Sequence, residues 1–236
     1  MTYPNGDTFE GTFNEKLEKH GRGVYTWGTA AGNNPWVPEE GFPGACHAAP
    51  SAPASSSLLP LTLTPRTARP HRAEGKAPTV SYEGMYTEGR KHGIGKLQMP
   101  NGDKYHGAFV ADKFEGEGTY FFSSGDVYSG GWRAGERSGE GTLQYARDES
   151  QLVGTWVKGA MVTGKWMWRD GTSWHGPFKN SLPLGKGIFY YPNGMVQEGE
   201  YVLQGEGEED GELKTVWKGR PARPANTAAS EVTRAV

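Results

Sequence analysis

The chain has a single cysteine, Cys46, among its 236 residues. No intramolecular disulfide can therefore staple it, and no Cys/His metal framework can be built around that thiol. Apolar residues make up only 35% of the chain, which is low for one thick globular core. No apolar run approaches the ~20 residues that a helix needs to cross a bilayer. The opening Met1-Thr2-Tyr3-Pro4-Asn5-Gly6-Asp7 has neither the basic nor the apolar region of a signal peptide. A formal charge of −2 gives no push toward nucleic acid or an anionic membrane. These absences lead to the expectation of a soluble intracellular chain with no nucleic-acid partner.

Glycine is abundant instead, at 36 residues, and aromatics reach 12%. The two rising together fit many short strands joined by turns, with cores built from rings. Their order is periodic. One copy reads Tyr82-Glu83-Gly84-Met85-Tyr86, then Gly89, then His92-Gly93-Ile94-Gly95, and the frame returns at Tyr105, Tyr128, Leu152, Trp174 and Gln197. The steps are 23, 23, 24, 22 and 23 residues, and an earlier copy opens at Phe9. A strict period of this length marks a stacked repeat architecture.

Each copy has two halves. The first sets bulky residues four apart with glycine midway, as in Tyr105/Gly107/Phe109, Tyr128/Gly130/Trp132 and Trp174/Gly176/Phe178. Alternate residues of a strand share a face, so each triplet puts two large groups on one side with a gap between them. The second half follows a Gly-x-Gly with plain alternation, as in Leu97/Met99 and Leu143/Tyr145 set against Lys96, Gln98, Thr142 and Gln144. That is the two-residue period of a half-buried strand. Asn101-Gly102-Asp103 and Asn193-Gly194-Met195 predict two-residue turns between copies. A short loop such as 87–91 closes the hairpin inside a copy. The fold expected is all-β, an elongated antiparallel β-meander of about 14 strands, on the order of 65 Å long at ~4.8 Å per strand. Glycines at the Gly-x-Gly positions are expected to let rings of the neighbouring strand lie flat on the backbone. Gly164 followed by Trp166, where a second glycine is expected, predicts a bulge or changed curvature.

The pattern Tyr-x-Gly-x-(Trp/Tyr)-x-x-Gly-x-x-His-Gly-x-Gly, almost whole from Tyr82 to Gly95, resembles the MORN repeat (membrane occupation and recognition nexus). The resemblance covers residues 1–27 and 81–203, with departures at Gln197, Thr163 and Trp166. It implies a rod-like β-meander without catalytic activity, serving as a scaffold, an assembly module or a membrane-proximal adaptor. A chain so dominated by repeats is similar to the MORN-repeat subunits of the ciliary radial spoke head. Family members that carry kinase, methyltransferase or membrane-anchor functions add domains for which this chain has little room.

The organisation expected is a partial and first repeat over 1–32, an Ala/Pro/Ser-rich insert over 33–80, six repeats over 81–203, and an acidic loop, a last strand and a flexible tail over 204–236. The insert contains Ala52-Pro53-Ala54-Ser55-Ser56-Ser57 and is too poor in apolar residues to offset its ordering entropy, which predicts disorder. Its composition over 42–79 equally fits translated non-coding sequence, and both readings stand. The start at a Pro-Asn-Gly-Asp turn reads as a clipped repeat. Glu206, Glu208, Glu209, Asp210 and Glu212 form the acidic loop, and Leu213 to Trp217 form the candidate last strand.

Among candidate sites, His20 and His92 share one slot of the repeat, while His106 and His175 follow an opening aromatic. Recurrence at fixed positions, with Glu115 and Ser138 in the same slot, argues for surface or turn roles over metal ligation. Gly116-Glu117-Gly118 evokes a phosphate loop, but no helix signal follows it. No nucleophile motif accompanies the available Ser, His and Asp residues. No catalytic, cofactor or metal residue is therefore assigned, and no cofactor is expected. The candidate partner-binding residues are Trp132, Trp156, Trp166, Trp168, Trp174 and Phe178, because aromatics anchor interfaces; a role in the core competes with that reading. The expected function is a non-enzymatic scaffold in the cytoplasm and cytoskeleton, within the axoneme of a cilium or flagellum. Its partners would be other subunits of a large assembly, including another MORN-repeat chain. The alternative is a lipid-binding or membrane-tethering adaptor, disfavoured because Lys and Arg alternate with Asp and Glu in most repeats.

Overall fold

The computed structural model describes residues 1–28, 80–204 and 214–225. It is all-β, and the strands succeed one another in chain order. The first hairpins are β1 (Thr8–Phe13) with β2 (Lys19–Thr26), β3 (Ser81–Thr87) with β4 (Arg90–Gln98), and β5 (Lys104–Val110) with β6 (Lys113–Phe121). Next come β7 (Val127–Arg133) with β8 (Glu136–Gln144), β9 (Gln151–Val157) with β10 (Ala160–Met167), and β11 (Ser173–Lys179) with β12 (Leu182–Pro183) and β13 (Gly185–Tyr190). The last are β14 (Met195–Gln204), β15 (Lys214–Gly219) and β16 (Arg223–Pro224). Fourteen of them form one antiparallel path, with β12 paired to β11 and β16 paired to β14 off that path. Strand β2 pairs directly with β3, and the Trp27 amide donates to the Val80 carbonyl at 3.0 Å. The meander thus closes around residues 29–79, and the insert expected at 33–80 lies, up to residue 79, outside the described residues.

The glycine pattern becomes a continuous row. Gly84 faces Gly95, Gly95 faces Gly107, Gly107 faces Gly118 and Gly118 faces Gly130, and the row runs on through Gly187, Gly199 and Gly219. Rings lie on it. The Tyr82 ring occupies the space that a Cβ would need at both Gly84 and Gly95, with ring atoms only 2.6 Å from either position. Tyr105 does the same for Gly107 and Gly118. The ring comes from the residue two before the first glycine of its own strand and reaches one strand over. The second large group of each triplet then stands edge-on to it: Tyr82 meets Tyr86 at 5.2 Å and 84°, and Phe109 of the next repeat at 5.0 Å and 82°. Edge-to-face contacts of this kind add about 0.5–1.5 kcal/mol beyond burial. Tyr82, Tyr105, Tyr128, Trp156 and Phe189 are all within 1% of complete burial, so a single layer makes its own core.

Turn chemistry is distributed differently from the sequence expectation. The two-residue turns lie inside the repeats, where Glu88 and Gly89 take φ of 50° and 77°, and Ala111 and Asp112 take 47° and 72°. Positive φ at both central positions is the type I′ geometry that matches strand twist. Between repeats the loop has three residues at 100–102, 123–125, 169–171 and 192–194, and four at 146–149. Met99 donates to the Asp103 carbonyl at 2.9 Å, Gly102 donates to the Met99 carbonyl at 3.1 Å, and Gly102 alone has positive φ, at 92°. The Asn-Gly signal therefore marks a three-residue loop with glycine last. Gly93, at φ 61°, sits in the bulge where β4 slips against Gly84 and Met85 of β3, which accounts for the glycine after His92.

Repeat five departs in a different way from the one expected. Gly164 fills the second glycine position, paired with Gly154, and Trp166 fills the core position opposite Leu152 and Trp174. One residue is missing from the bulge, which keeps only Val162 between Met161 and Thr163. Leu152 is too short to cover the glycines, and the Met161 methyl does so instead, 2.9 Å from a Cβ position at Gly154 and 2.5 Å from one at Gly164. At the far end Gln197 stands in the aromatic position. Its amide accepts from the Trp217 indole at 3.2 Å and the Tyr191 hydroxyl at 2.8 Å, while Trp217 covers Gly199 and Gly219. Residues 223–224, expected to trail as tail, pair with Met195 and Val196. The acidic stretch at 205–213 and residues 226–236 lie outside the described residues.

Candidate functional site

The ring face is largely occupied by its own packing. Of the six aromatics expected to bind partners, Trp132, Trp156, Trp166, Trp174 and Phe178 are buried, none more than 6% exposed. The structure places them in the core cluster, and Trp168 is half-buried against it. Trp132 and Trp156 also donate their indole N–H groups to the Gly118 and Gly141 carbonyls at 3.1 Å. Half-buried rings at Trp27, Phe122, Tyr145, Trp168 and Tyr191 form the margin of this face.

The opposite face is open and has a repeating design that the sequence reading did not single out. On each strand the residues before and after the glycine point away from the rings, so two rows of side chains flank a floor of glycine backbone. The result is a trough that crosses the strands. Two depressions lie in it. One, of ≈ 330 Å³, has Gly84 and Gly95 at its floor, Met85 and Ile94 on one wall and Glu83 and Lys96 on the other. The second, of ≈ 580 Å³, has Gly187 and Gly199 at its floor; Lys186, Glu200 and Lys218 form one wall, facing His175, Glu198 and Arg220. The signal that could have located it is the parity opposite the rings, where Glu83, Lys96 and His106 follow one another in register.

Charge along the trough changes with position. Over β6 to β9 the two rows carry Glu117 and Glu140, with Thr119, Ser129, Thr142 and Thr155 beside them and no basic residue. From β10 to β15 they carry Lys165, Lys186, Lys218 and Arg220 against Glu198 and Glu200. Arg223 holds Glu198 at 2.6 Å, and Arg220 lies 3.8 Å from it. Burial, with the nearby Lys165 charge, pushes the His175 imidazole below its usual range, where it favours the neutral form. His175 packs on Tyr190 at 4.5 Å. His20, His92 and His106 are exposed.

Beneath the ring face lie polar groups that sequence reasoning did not flag. Asp103, buried beside the inter-repeat loop, accepts from the Tyr120 hydroxyl at 2.6 Å, the Asn101 amide at 2.8 Å and the Ser123 N–H at 2.7 Å. Asp7 accepts from Tyr25, Asn5 and the Gly28 N–H in the same way. Burial works to raise the Asp7 carboxyl, but these three hydrogen bonds outweigh it and hold it below the usual carboxylate range. Lys91 and Asp112 form an ion pair at 3.0 Å with both side chains at most 10% exposed. Burial, and then repulsion from Lys91, lowers the Lys19 ammonium, which lies 4.0 Å from the centre of the Tyr25 ring. These groups are turn acceptors and ring partners, and they brace the hairpins.

The MORN repeat family model matches residues 18–29, 82–104, 105–127, 128–148, 153–173 and 175–196, more than half of the chain. The chain belongs to the MORN-repeat family. It is a repeat protein of a kind that serves interaction with proteins or membranes. No curated protein matches it in sequence. Strands β1 and β15, outside the matched segments, carry the same design, with Gly11 facing Gly23 and Gly199 facing Gly219.

Proposed function

We propose that the chain is a non-enzymatic scaffold that joins protein subunits of a large assembly, namely the radial spoke head of the motile cilium or flagellum. The observation that carries this reading is the division of labour between the two faces. One is spent on packing, and the other presents a trough at strand spacing, lined mostly by polar side chains with Met85, Ile94 and Ile188 among them. Side chains spread along such a trough offer many shallow contacts in a row, which suits holding an elongated partner, including another MORN-repeat chain, better than turning over a substrate. A sheet built almost wholly of repeats supplies stiffness and reach, which fits an axonemal, cytoskeletal location. The test is affinity purification of the tagged chain from ciliated and non-ciliated cells, followed by identification of what co-purifies. Axonemal subunits recovered only from ciliated cells support the reading. Recovery with vesicle machinery and absence from axonemes would replace it with membrane tethering.

A further inference from the structure

We propose that the trough over β13 to β15 receives an acidic peptide segment of a partner protein, with its carboxylates set on Lys186 and Lys218. This deepens the scaffold reading and rests on it. Lys186 and Lys218 lie on one wall, both in register with Glu200 between them. Among the described residues neither forms an ion pair, and Glu198, the other acid of the depression, is already held by Arg223. Two exposed ammonium groups therefore point into a depression of ≈ 580 Å³ with their hydrogen-bonding capacity directed at solvent. Lys165 and Arg220 extend the basic character, and Ile188 adds an apolar contact on the opposite wall.

Shape selects the class of partner. The residues before and after a strand glycine are about 6.8 Å apart along the strand, so the trough is narrow, and a thin extended segment lying along it meets both walls where a helix of ~10–12 Å diameter does not enter. A flat bilayer touches only the tips of the walls, and a nucleic-acid duplex is too wide to enter. Charge fixes where on the trough the segment sits. The stretch over β6 to β9, with Glu117 and Glu140 and no basic residue, repels the same ligand.

The experiment uses the full chain and three probes: a labelled ten-residue peptide of alternating Glu and Ser, its Lys/Ser counterpart, and phosphatidylcholine vesicles containing phosphatidylserine. Lys186→Glu with Lys218→Glu is compared with Lys113→Glu with Lys179→Glu, which makes the same charge change outside the depression, and thermal melts confirm that each variant is folded. Lys186→Gln with Lys218→Gln serves if the first pair destabilises the sheet. The expected result is binding of the Glu/Ser peptide alone, weakened tenfold or more by the first pair, less by the Gln pair, and unchanged by Lys113→Glu with Lys179→Glu. Equal binding by both Glu pairs, no binding of the Glu/Ser peptide, or trough-dependent binding of the vesicles in its place overturns the proposal. Co-purification with axonemal subunits is independent of this titration, so loss of one leaves the other standing.

Discussion

Tyr105 lies across Gly118 of the adjoining strand, and a Cβ at that glycine would come within 2.5 Å of the phenol ring carbon that bears the hydroxyl. Nothing about the Gly118 backbone itself requires glycine, since its φ lies outside the left-handed region. The constraint is the ring. Gly118→Ala is expected to destabilise the sheet by about 3 kcal/mol, as overpacking a close-packed core does. Gly89 presents the opposite case, with φ of 77° and nothing within 4 Å of a Cβ, so Gly89→Ala is expected to cost about 1 kcal/mol from backbone strain alone. Urea midpoints of the two variants check the contrast. Equal losses would remove the ring-on-glycine account.

Alkaline pH provides a collective test of that core. Burial raises the phenols of Tyr82, Tyr86, Tyr105, Tyr120, Tyr128 and Tyr201; for Tyr120 the hydrogen bond to Asp103 adds to it. A raised folded-state value means that the stability these groups confer is complete below pH ~10, the value in the unfolded chain, and is lost as pH rises. Each group contributes a slope of about 1.4 kcal/mol per pH unit above that point, and the slopes add. The expected outcome is one cooperative unfolding near pH ~11, with tyrosinate absorbance and loss of the β circular-dichroism signal coinciding. Gradual ionisation of tyrosines in an intact sheet would contradict it.

Lys91 and Asp112 occupy positions that the following repeat fills without charge. The Asp112 amide donates to the Lys91 carbonyl, and the Gly135 amide donates to the Phe114 carbonyl in the same way. Removing only the carboxylate, by Asp112→Asn, takes a counter-charge from a buried ammonium and is expected to cost about 3 kcal/mol. Lys91→Phe together with Asp112→Gly copies the next repeat and relieves positive φ at residue 112, so stability is expected to return to within about 1 kcal/mol of the parent. A thermal-melt double-mutant cycle measures both.

Strand β2 pairs with β3 without an intervening strand, so the sheet is expected to form without residues 29–79. The Trp27–Val80 hydrogen bond stands where Met99 and Asp103 bracket a three-residue loop elsewhere. Replacing residues 29–79 with Asn-Gly retains Gly28, whose N–H bonds to Asp7 at 2.7 Å, and restores a loop of that length. Loop-closure entropy changes by ~0.6 kcal/mol per doubling of length, so the shortened chain is expected to gain about 2 kcal/mol. A lower denaturation midpoint would show that the segment contributes contacts to the sheet.

Much of this fold was legible because its governing pattern is local and repeated. Gly84 and Tyr86 at fixed distances from Tyr82 encode a strand, and a period near 23 encodes their stacking. The assignment of turns failed because Asn-Gly at 101–102 fits either a two-residue or a three-residue loop, and only pairing decides. Ala111-Asp112 carries no turn glycine, so its type I′ geometry was invisible in the composition. The deletion in repeat five is hidden in the sequence because it brings Trp166 to the place of a glycine in the repeat frame, whereas the compensating Met161 acts across strands. The aromatics of repeats four to six have the chemistry of interface anchors. Burial depends on which face the glycine row leaves for them, and that is a property of the assembled sheet. The trough is illegible in the sequence for the complementary reason, since Glu83, Lys96, Met85 and Ile94 are ordinary strand residues that become a site only through register.

Fourteen strands of the described residues lie side by side in one sheet a single layer thick. Small-angle X-ray scattering of the chain with residues 29–79 replaced by Asn-Gly measures this most directly. A thin particle with a long dimension on the order of 65 Å, from ~4.8 Å per strand, is the predicted result. An isometric particle about 45 Å across, as a compact globule of this size would give, would contradict it.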